Sequence, residues 1–261
     1  MQTVDTFLLL PWYNHHIVFT PEIIYENEDY AVLNKPNGLV VTPGAGHDEI
    51  DTLVGWLVSH YGEGIRDACV EGHRPGIVHR LDKDTSGVMV VVKTLDAFHH
   101  MVSQFKNRTV KKQYEALVWG NVSETLEEKS HAGIETFEIN APIGRNPRDH
   151  TRFAVTRTGK EALTSFTVGK VVTIKDTQFT QMSCMPQSGR THQIRVHLKS
   201  FGHGIVGDPL YQSRSFTHKL VELVKDNDLQ DRLYLHAHSL TFIPPGETKE
   251  KTFTSPVPWT L

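Results

Sequence analysis

The chain has 261 residues, a net charge of −3, 38% hydrophobic residues and 22% charged ones, enough to bury one large core or two small ones. No run of about 18 apolar residues occurs to span a membrane, and the stretch Phe7 to Leu10 is too short, and lacks the basic flank, for a secretory signal. Two cysteines, Cys69 and Cys184, form no disulfide framework and point to a reducing, cytoplasmic setting with both thiols buried, while the 16 scattered histidines predict no metal site.

In chain order, residues 1–20 have a weak pattern and read as an extension ahead of a single domain, 21–261. Residues 23–26 and 30–35 read as two strands around the turn Asn27-Glu28-Asp29. Pro36, Gly38, Pro43, Gly44 and Gly46 mark loops; Gly44-Ala45-Gly46 lacks the strand-turn-helix context of a dinucleotide site, and no phosphate-loop lysine motif occurs. Leu53, Trp56, Leu57 and Tyr61 recur at helical spacing, and 64–76 reads as a loop. The continuous apolar run 88–93 predicts a buried central strand. Ala97, Met101, Val102 and Phe105 predict a second helix, and 114–118 a strand entered from a basic turn.

The polar, acidic stretch 121–136 reads as a surface excursion, and 137–174 as β-rich pieces broken by Gly and Pro. A strand is expected at 179–185. A helix is expected over 190–201, with Ile194, Leu198 and Phe201 on one face, Thr191 and Arg195 on another, and Ser188-Gly189 placed to cap it. A helix near 220–224 and strands at 233–243 and 250–255 complete the chain, without internal repeats. Strands out of strict βαβ order predict an α+β domain on a largely antiparallel sheet.

Three constellations can carry chemistry. Asp82 sits in a polar turn between apolar segments, two residues after Arg80 and just before Thr85, Ser86 and Gly87. A nearby cation favours an ionised carboxylate, and that is a competent nucleophile; the commoner role of such an aspartate is to cap its own turn. The segment 188–198 puts Arg190 at a helix start, a position suited to anions, with Thr191 and Arg195 one turn apart. Lys106, Arg108, Lys111 and Lys112 lead into Tyr114, and Arg145, Arg148, Arg152, Arg157 and Lys160 surround Phe153. Either basic cluster alone is an ordinary solvated face; together they make local binding of nucleic acid credible despite the near-neutral balance.

These residues fall within four blocks, "YAVLNKPNGLVVTP" (30–43), "RPGIVHRLDKDTSGVMVVVKT" (74–94), "KQYEALVWG" (112–120) and "SGRTHQIRVHLKSFGHGIVGDPLY" (188–211) with "LHAHSLTFIPP" (235–245). In this order they resemble the RluA-type family of RNA pseudouridine synthases over about residues 22–257. The resemblance implies a pseudouridine synthase-like α+β fold, with a mixed, mostly antiparallel sheet, flanking helices and a central active-site cleft. It implies isomerisation of uridine in structured RNA, rRNA or tRNA, without metal, nucleotide or redox cofactor. The uracil is detached, turned and rejoined through carbon 5.

By the same resemblance Asp82 is the nucleophile or base, acting after base flipping by attack on the sugar, by removal of a proton from it, or by attack on the uracil ring, among which the sequence does not choose. Arg80 enters the vacated space. Tyr114 stacks on the flipped base and assists deprotonation at carbon 5, and Arg195 pairs with Asp82. Arg190, Thr191 and Lys112 are expected to contact substrate, and Leu235 to pack beneath the base. Only about 20 residues precede the first block, too few for the small helical RNA-binding domain that many relatives carry. A cytoplasmic monomer working on RNA through its catalytic domain alone is therefore expected. Two other readings are an RNA-binding or RNA-folding protein whose site no longer works, and a glycoside-cleaving enzyme using Asp82 and Asp84.

Overall fold

The computed structural model describes residues 20–44, 46–70, 74–128 and 135–261, so the expected extension lies, except for Thr20, outside the described residues. Strands β1 (Glu22–Glu26) and β2 (Tyr30–Lys35) pair antiparallel. The Asn27 side chain shapes their turn by accepting the backbone N–H groups of Asp29 and Tyr30 at 3.0 and 2.9 Å. Helix α1 (Leu53–Tyr61) starts at Thr52, whose hydroxyl accepts the Gly55 N–H, and α2 (Leu95–Asn107) starts in the same way at Thr94. Between them runs β3 (Ser86–Val92), buried at every residue as its unbroken apolar run predicts.

Period-two alternation decides which helix covers which face. Ala31 and Leu33 of β2, with Met89 and Val91 of β3, pack on Leu53 and Leu57 of α1. Tyr30 and Val32, with Val88, Val90 and Val92, pack on Ala97 and Met101 of α2.

The chain continues through β4 (Lys111–Trp119), α3 (Val122–Glu128), β5 (Thr136–Asn140), β6 (Ile143–Asn146) and β7 (Asp149–Val155). Then follow β8 (Leu163–Ile174), β9 (Thr177–Pro186), α4 (Gln193–Phe201), α5 (Arg214–Lys225), β10 (Leu235–Phe242) and β11 (Lys251–Thr254). Nine strands form one sheet in the order β1-β2-β3-β10-β4-β9-β8-β5, with β11 on β10, while β6 and β7 make a separate hairpin. Every named pairing is antiparallel except β3 with β10. The largest core cluster lies around β4, β8 and β9, beneath α4 and α5.

The parallel pairing is where the two halves of the sheet meet, and it depends on Gly87. This residue has φ 117°, and a Cβ there would lie 2.3 Å from the Ala237 carbonyl oxygen. The turn 82–85 leads directly into this central strand.

Several expectations need correction. The stretch 121–136 is not only an excursion, because it carries α3; 129–134 lie outside the described residues. The loop expected over 64–76 opens in a short 3-10 turn, Glu63–Asp67, where Arg66 joins Glu49 at 2.6 Å and Glu63 at 2.5 Å. Cys184 is buried but Cys69 is only half-buried. Helix α4 begins at Gln193, not at 190, so Thr191 precedes it and shares no helical face with Arg195. Ser188 does not cap it either. Its hydroxyl donates to Gln193 Oε1 at 2.7 Å, which also accepts the Arg190 N–H, while Gln193 Nε2 donates to the Leu163 carbonyl. The buried Gln193 amide thus clasps the loop to β8, an arrangement that takes the place of a cap.

Two histidines with depressed pKa values, half-buried His79 and buried His236, give the fold an acid limit. His79 Nε2 accepts the Val90 N–H at 3.1 Å, and burial, with Lys112 nearby, pushes its pKa down to about 3. Arg232 donates to the Ser86 hydroxyl, which donates to His236 Nδ1 at 2.9 Å, and burial pushes His236 down to about 4. Both groups bind more protons in the unfolded chain, whose histidines titrate near 6.5. Their contribution to stability is complete above about pH 6.5 and is lost as pH falls toward these values. The urea midpoint is expected to fall between about pH 7 and pH 5, and His79→Gln to flatten part of that slope. An unchanged midpoint across this range in the wild-type chain would contradict the assignment.

Candidate active site

Asp82 ends the approach to β3, and its turn is fixed from the β2 side. Lys35, fully buried, points Nζ at the carbonyls of Pro36, Leu39 and Lys83 at 2.8, 2.8 and 2.9 Å. Asn37 donates to the Asp84 carbonyl, and Gly38 N–H to that of Lys83. Burial draws the Lys35 pKa down to about 7, yet three acceptors at these distances call for the three N–H bonds of an ammonium. The side chain is a cationic clamp on the turn.

Across the cleft, α4 supplies Arg195, whose side chain is 3% exposed. One end of its guanidinium is bidentate on Asp208, with Nε and Nη2 each 2.8 Å from a carboxylate oxygen. The other end donates from Nη1 to Asp82 Oδ2 at 3.2 Å. Asp208 is fully buried and also accepts the N–H groups of Leu210 and Tyr211. The Tyr211 ring lies beneath the guanidinium, 5.1 Å from Cζ. A rigid planar fork held at one end by a buried carboxylate presents its remaining N–H to Asp82 in a single orientation. Asp82 stays reachable, with its side chain 24% exposed.

The cleft around Asp82 measures about 870 Å³, ample for an extruded nucleoside. Arg80, Lys106, Arg108, Lys111, Lys112, Arg190 and Arg195 line it with a single carboxylate, Asp82, among the described residues. Tyr114, Thr191 and Leu235 line it too, so every site residue expected from sequence reaches this one cleft. Tyr114 lies on β4 beside Cys184 of β9 and Ala237 of β10. Burial, reinforced by the charge of Asp82, raises the Tyr114 pKa well above the usual phenol value, so its hydroxyl keeps its proton. Leu235 opens β10 and is buried. Arg80 and Thr191 are exposed, and Arg190 donates from Nε to the Glu161 carbonyl. Burial lowers the Lys112 pKa, and Arg108 adds to it; Lys111 is paired with Glu250 at 2.7 Å.

Asp84 is not among the residues that line the cleft, so the paired-carboxylate arrangement of a glycosidase is not formed there. Of the second basic cluster, Arg145 lies over the Phe153 ring and Arg152 pairs with Asp149 on the β6–β7 hairpin, which reaches the cleft through the Phe153 ring against His192. Sequence reasoning missed Lys35, Asp208, His192 and Tyr211 as parts of the site. All four lie inside the quoted blocks, and a signal for Asp208 existed: a buried arginine with two donor edges needs a second acidic partner.

Comparison with known proteins gives a consistent placement. Residues 29–200 match the family model described as RNA pseudouridylate synthase. A Bacillus subtilis protein named as an uncharacterized RNA pseudouridine synthase is 39% identical over 239 residues, 91% of this chain and 69% of that protein. A Xylella fastidiosa protein named ribosomal large subunit pseudouridine synthase D is 40% identical over 243 residues, 91% of this chain and 66% of that one. The solved structure of human RNA pseudouridylate synthase domain containing 1 has a TM-score of 0.68 at 25% identity, covering 93% of this chain and 86% of that one. The chain belongs to the RNA pseudouridylate synthase family, a family of RNA-modifying isomerases. It spans about two thirds of the length of the curated relatives it matches.

Proposed function

We propose that this protein converts uridine to pseudouridine within structured RNA, with Asp82 as the catalytic group. The observation that carries the reading is one carboxylate among the described lining residues, oriented by Arg195, in a cleft that also carries seven cationic side chains. Such a cleft attracts a polyanion on a protein whose net charge is −3. The names of the relatives favour a hairpin of large-subunit ribosomal RNA as substrate; a tRNA arm has the same chemistry. The protein acts as a cytoplasmic monomer.

The target nucleotide swings into the cleft, at a cost of a few kcal/mol that is least in a loop. Arg80, exposed at the rim, fills the space it leaves. Arg195 engages Oδ2 and leaves Oδ1 for the sugar, whether Asp82 attacks carbon 1′ as the glycosidic bond breaks or takes a proton from carbon 2′. The freed uracil turns on a bed of Tyr114 and Leu235, and its carbon 5 bonds to carbon 1′, displacing the Asp82 carboxylate in the first route or, in the second, as Asp82 returns the proton to carbon 2′. That carbon loses its proton, and the former glycosidic nitrogen gains one. Lys112, Arg190 and Thr191 contact the flanking backbone.

Because Tyr114 keeps its proton, we assign it stacking and hydroxyl donation. Tyr114→Phe is expected to retain RNA binding and slow turnover by about 10²-fold. Wild-type single-turnover rates in that variant would remove the hydroxyl from the chemistry. The function itself is tested by mapping pseudouridine in total RNA from cells with and without the gene. Loss at one or a few positions, restored by wild type but not by Asp82→Asn, is expected; an identical map in both strains contradicts it.

A further inference from the structure

His192 stands in the left-handed region, φ 56° and ψ 25°, at the N-cap of α4, and its side chain makes no cap. A residue with a Cβ is strained in this conformation. The ring is engaged elsewhere: Nδ1 lies 2.8 Å from the Tyr211 hydroxyl and Nε2 lies 3.8 Å from Asp82 Oδ2. The same hydroxyl accepts the Phe153 backbone N–H at 3.0 Å. The rings of Phe153 and Tyr211 both meet the imidazole edge-on, at centroid distances of 5.8 and 5.6 Å.

The donors and acceptors fix the proton. The Phe153 N–H can only donate, so the Tyr211 oxygen accepts from it, and its single proton is available to His192 Nδ1. Nδ1 is then an acceptor, and the imidazole proton sits on Nε2, toward Asp82. The opposite tautomer sets a ring lone pair against the carboxylate and leaves the Tyr211 proton without this acceptor. We propose that His192 is a positioning residue for Asp82, presenting Nε2–H to the oxygen that Arg195 holds, with its tautomer locked by Tyr211, whose hydroxyl is held in turn by the Phe153 N–H of the β6–β7 hairpin.

This rests on the function proposed above. The contact of 3.8 Å is long and tightens as bound RNA expels water from the cleft. The charged and titratable groups around His192 are Asp82, Arg80, Arg195, Asp208 and Tyr211, while β7 contributes the Phe153 ring. Burial is the largest influence and holds the ring below its usual pKa, hence neutral at pH 7, as the lock requires.

Tyr211→Phe in the whole chain keeps the ring and removes the lock. Neutral His192 then spends part of its time with Nδ1 protonated, whereas protonation of the ring at low pH returns a proton to Nε2. On large-subunit ribosomal RNA transcribed in vitro, single-turnover pseudouridine formation by this variant is expected to be about tenfold slower than wild type at about pH 8, with the gap narrowing at about pH 5, toward the lowered titration range of the ring, and with unchanged RNA affinity. An equal loss at both pH values, or no loss at the higher one, overturns the proposal. Long-range proton–nitrogen NMR of the wild-type imidazole gives a second readout that needs neither the variant nor RNA. Bare Nδ1 and protonated Nε2 are expected, and the reverse pattern overturns the proposal. A wild-type chain that makes no pseudouridine refutes the proposed function, while the NMR still reports the tautomer.

Discussion

Asp82→Asn is expected to abolish pseudouridine formation, by at least about 10³-fold, without loss of RNA affinity. The amide oxygen accepts the Arg195 Nη1 bond that the carboxylate accepts at 3.2 Å, so the turn and the guanidinium keep their places. What disappears is a charged oxygen able to attack a sugar carbon or take its proton. Affinity is expected to hold or to rise, because the substitution removes the one carboxylate that lines the cleft among the described residues, beside seven cationic side chains. Filter binding and single-turnover assays on one RNA separate the two effects. Measurable turnover in a variant that binds RNA normally would take Asp82 out of the chemistry.

The next largest effect is expected at Asp208, which touches no substrate. Asp208→Asn leaves one edge of Arg195 without its charged partner in a fully buried site. Breaking a buried pair in this way costs about 3 kcal/mol, which lowers Tm by roughly 8 °C for a chain of this size. Below the transition, where the variant is folded, the guanidinium no longer has a fixed aim at Asp82, and turnover is expected to fall by about 10²-fold. Calorimetry and kinetics on the same preparation check both numbers. A loss of Tm with normal turnover would show that Arg195 needs no anchor to serve Asp82.

The strands and helices most legible in the sequence were those with a single strong pattern. The apolar run behind Gly87 reads as β3 because a strand buried on both faces has no polar positions. Helices α1 and α2 read from helical spacing, and their threonine caps fall where propensity puts them. Helix α4 misled at its start. Ser188-Gly189 looks like a cap, but the Gln193 side chain competes for the same loop, and the left-handed His192 delays the first turn. No local rule predicts that a glutamine inside the helix takes over this work, since its other partners lie on β8, far away in sequence.

The site divides in the same way. Asp82, Tyr114 and Arg195 were found through blocks whose order resembles a known family, not through local chemistry, which favoured a turn-capping role for Asp82. Lys35 and Asp208 stayed hidden because their function is to be buried and paired, a property of the assembled fold. Lys35 reads as an ordinary strand-end lysine until three carbonyls surround it. Asp208 reads as part of a Gly-Asp-Pro turn until Arg195, 13 residues earlier, folds onto it. His192 and Tyr211 belong to the same class, since their meaning depends on the Phe153 backbone delivered by the β6–β7 hairpin.

The account is tested most directly by nucleoside mass spectrometry of unmodified large-subunit ribosomal RNA incubated with the purified chain, beside Asp82→Asn as control. Pseudouridine appearing with wild type alone, with no free uracil released, is the predicted result. Uridine left intact by wild type on this RNA and on unmodified tRNA, or equal pseudouridine from both proteins, would contradict it.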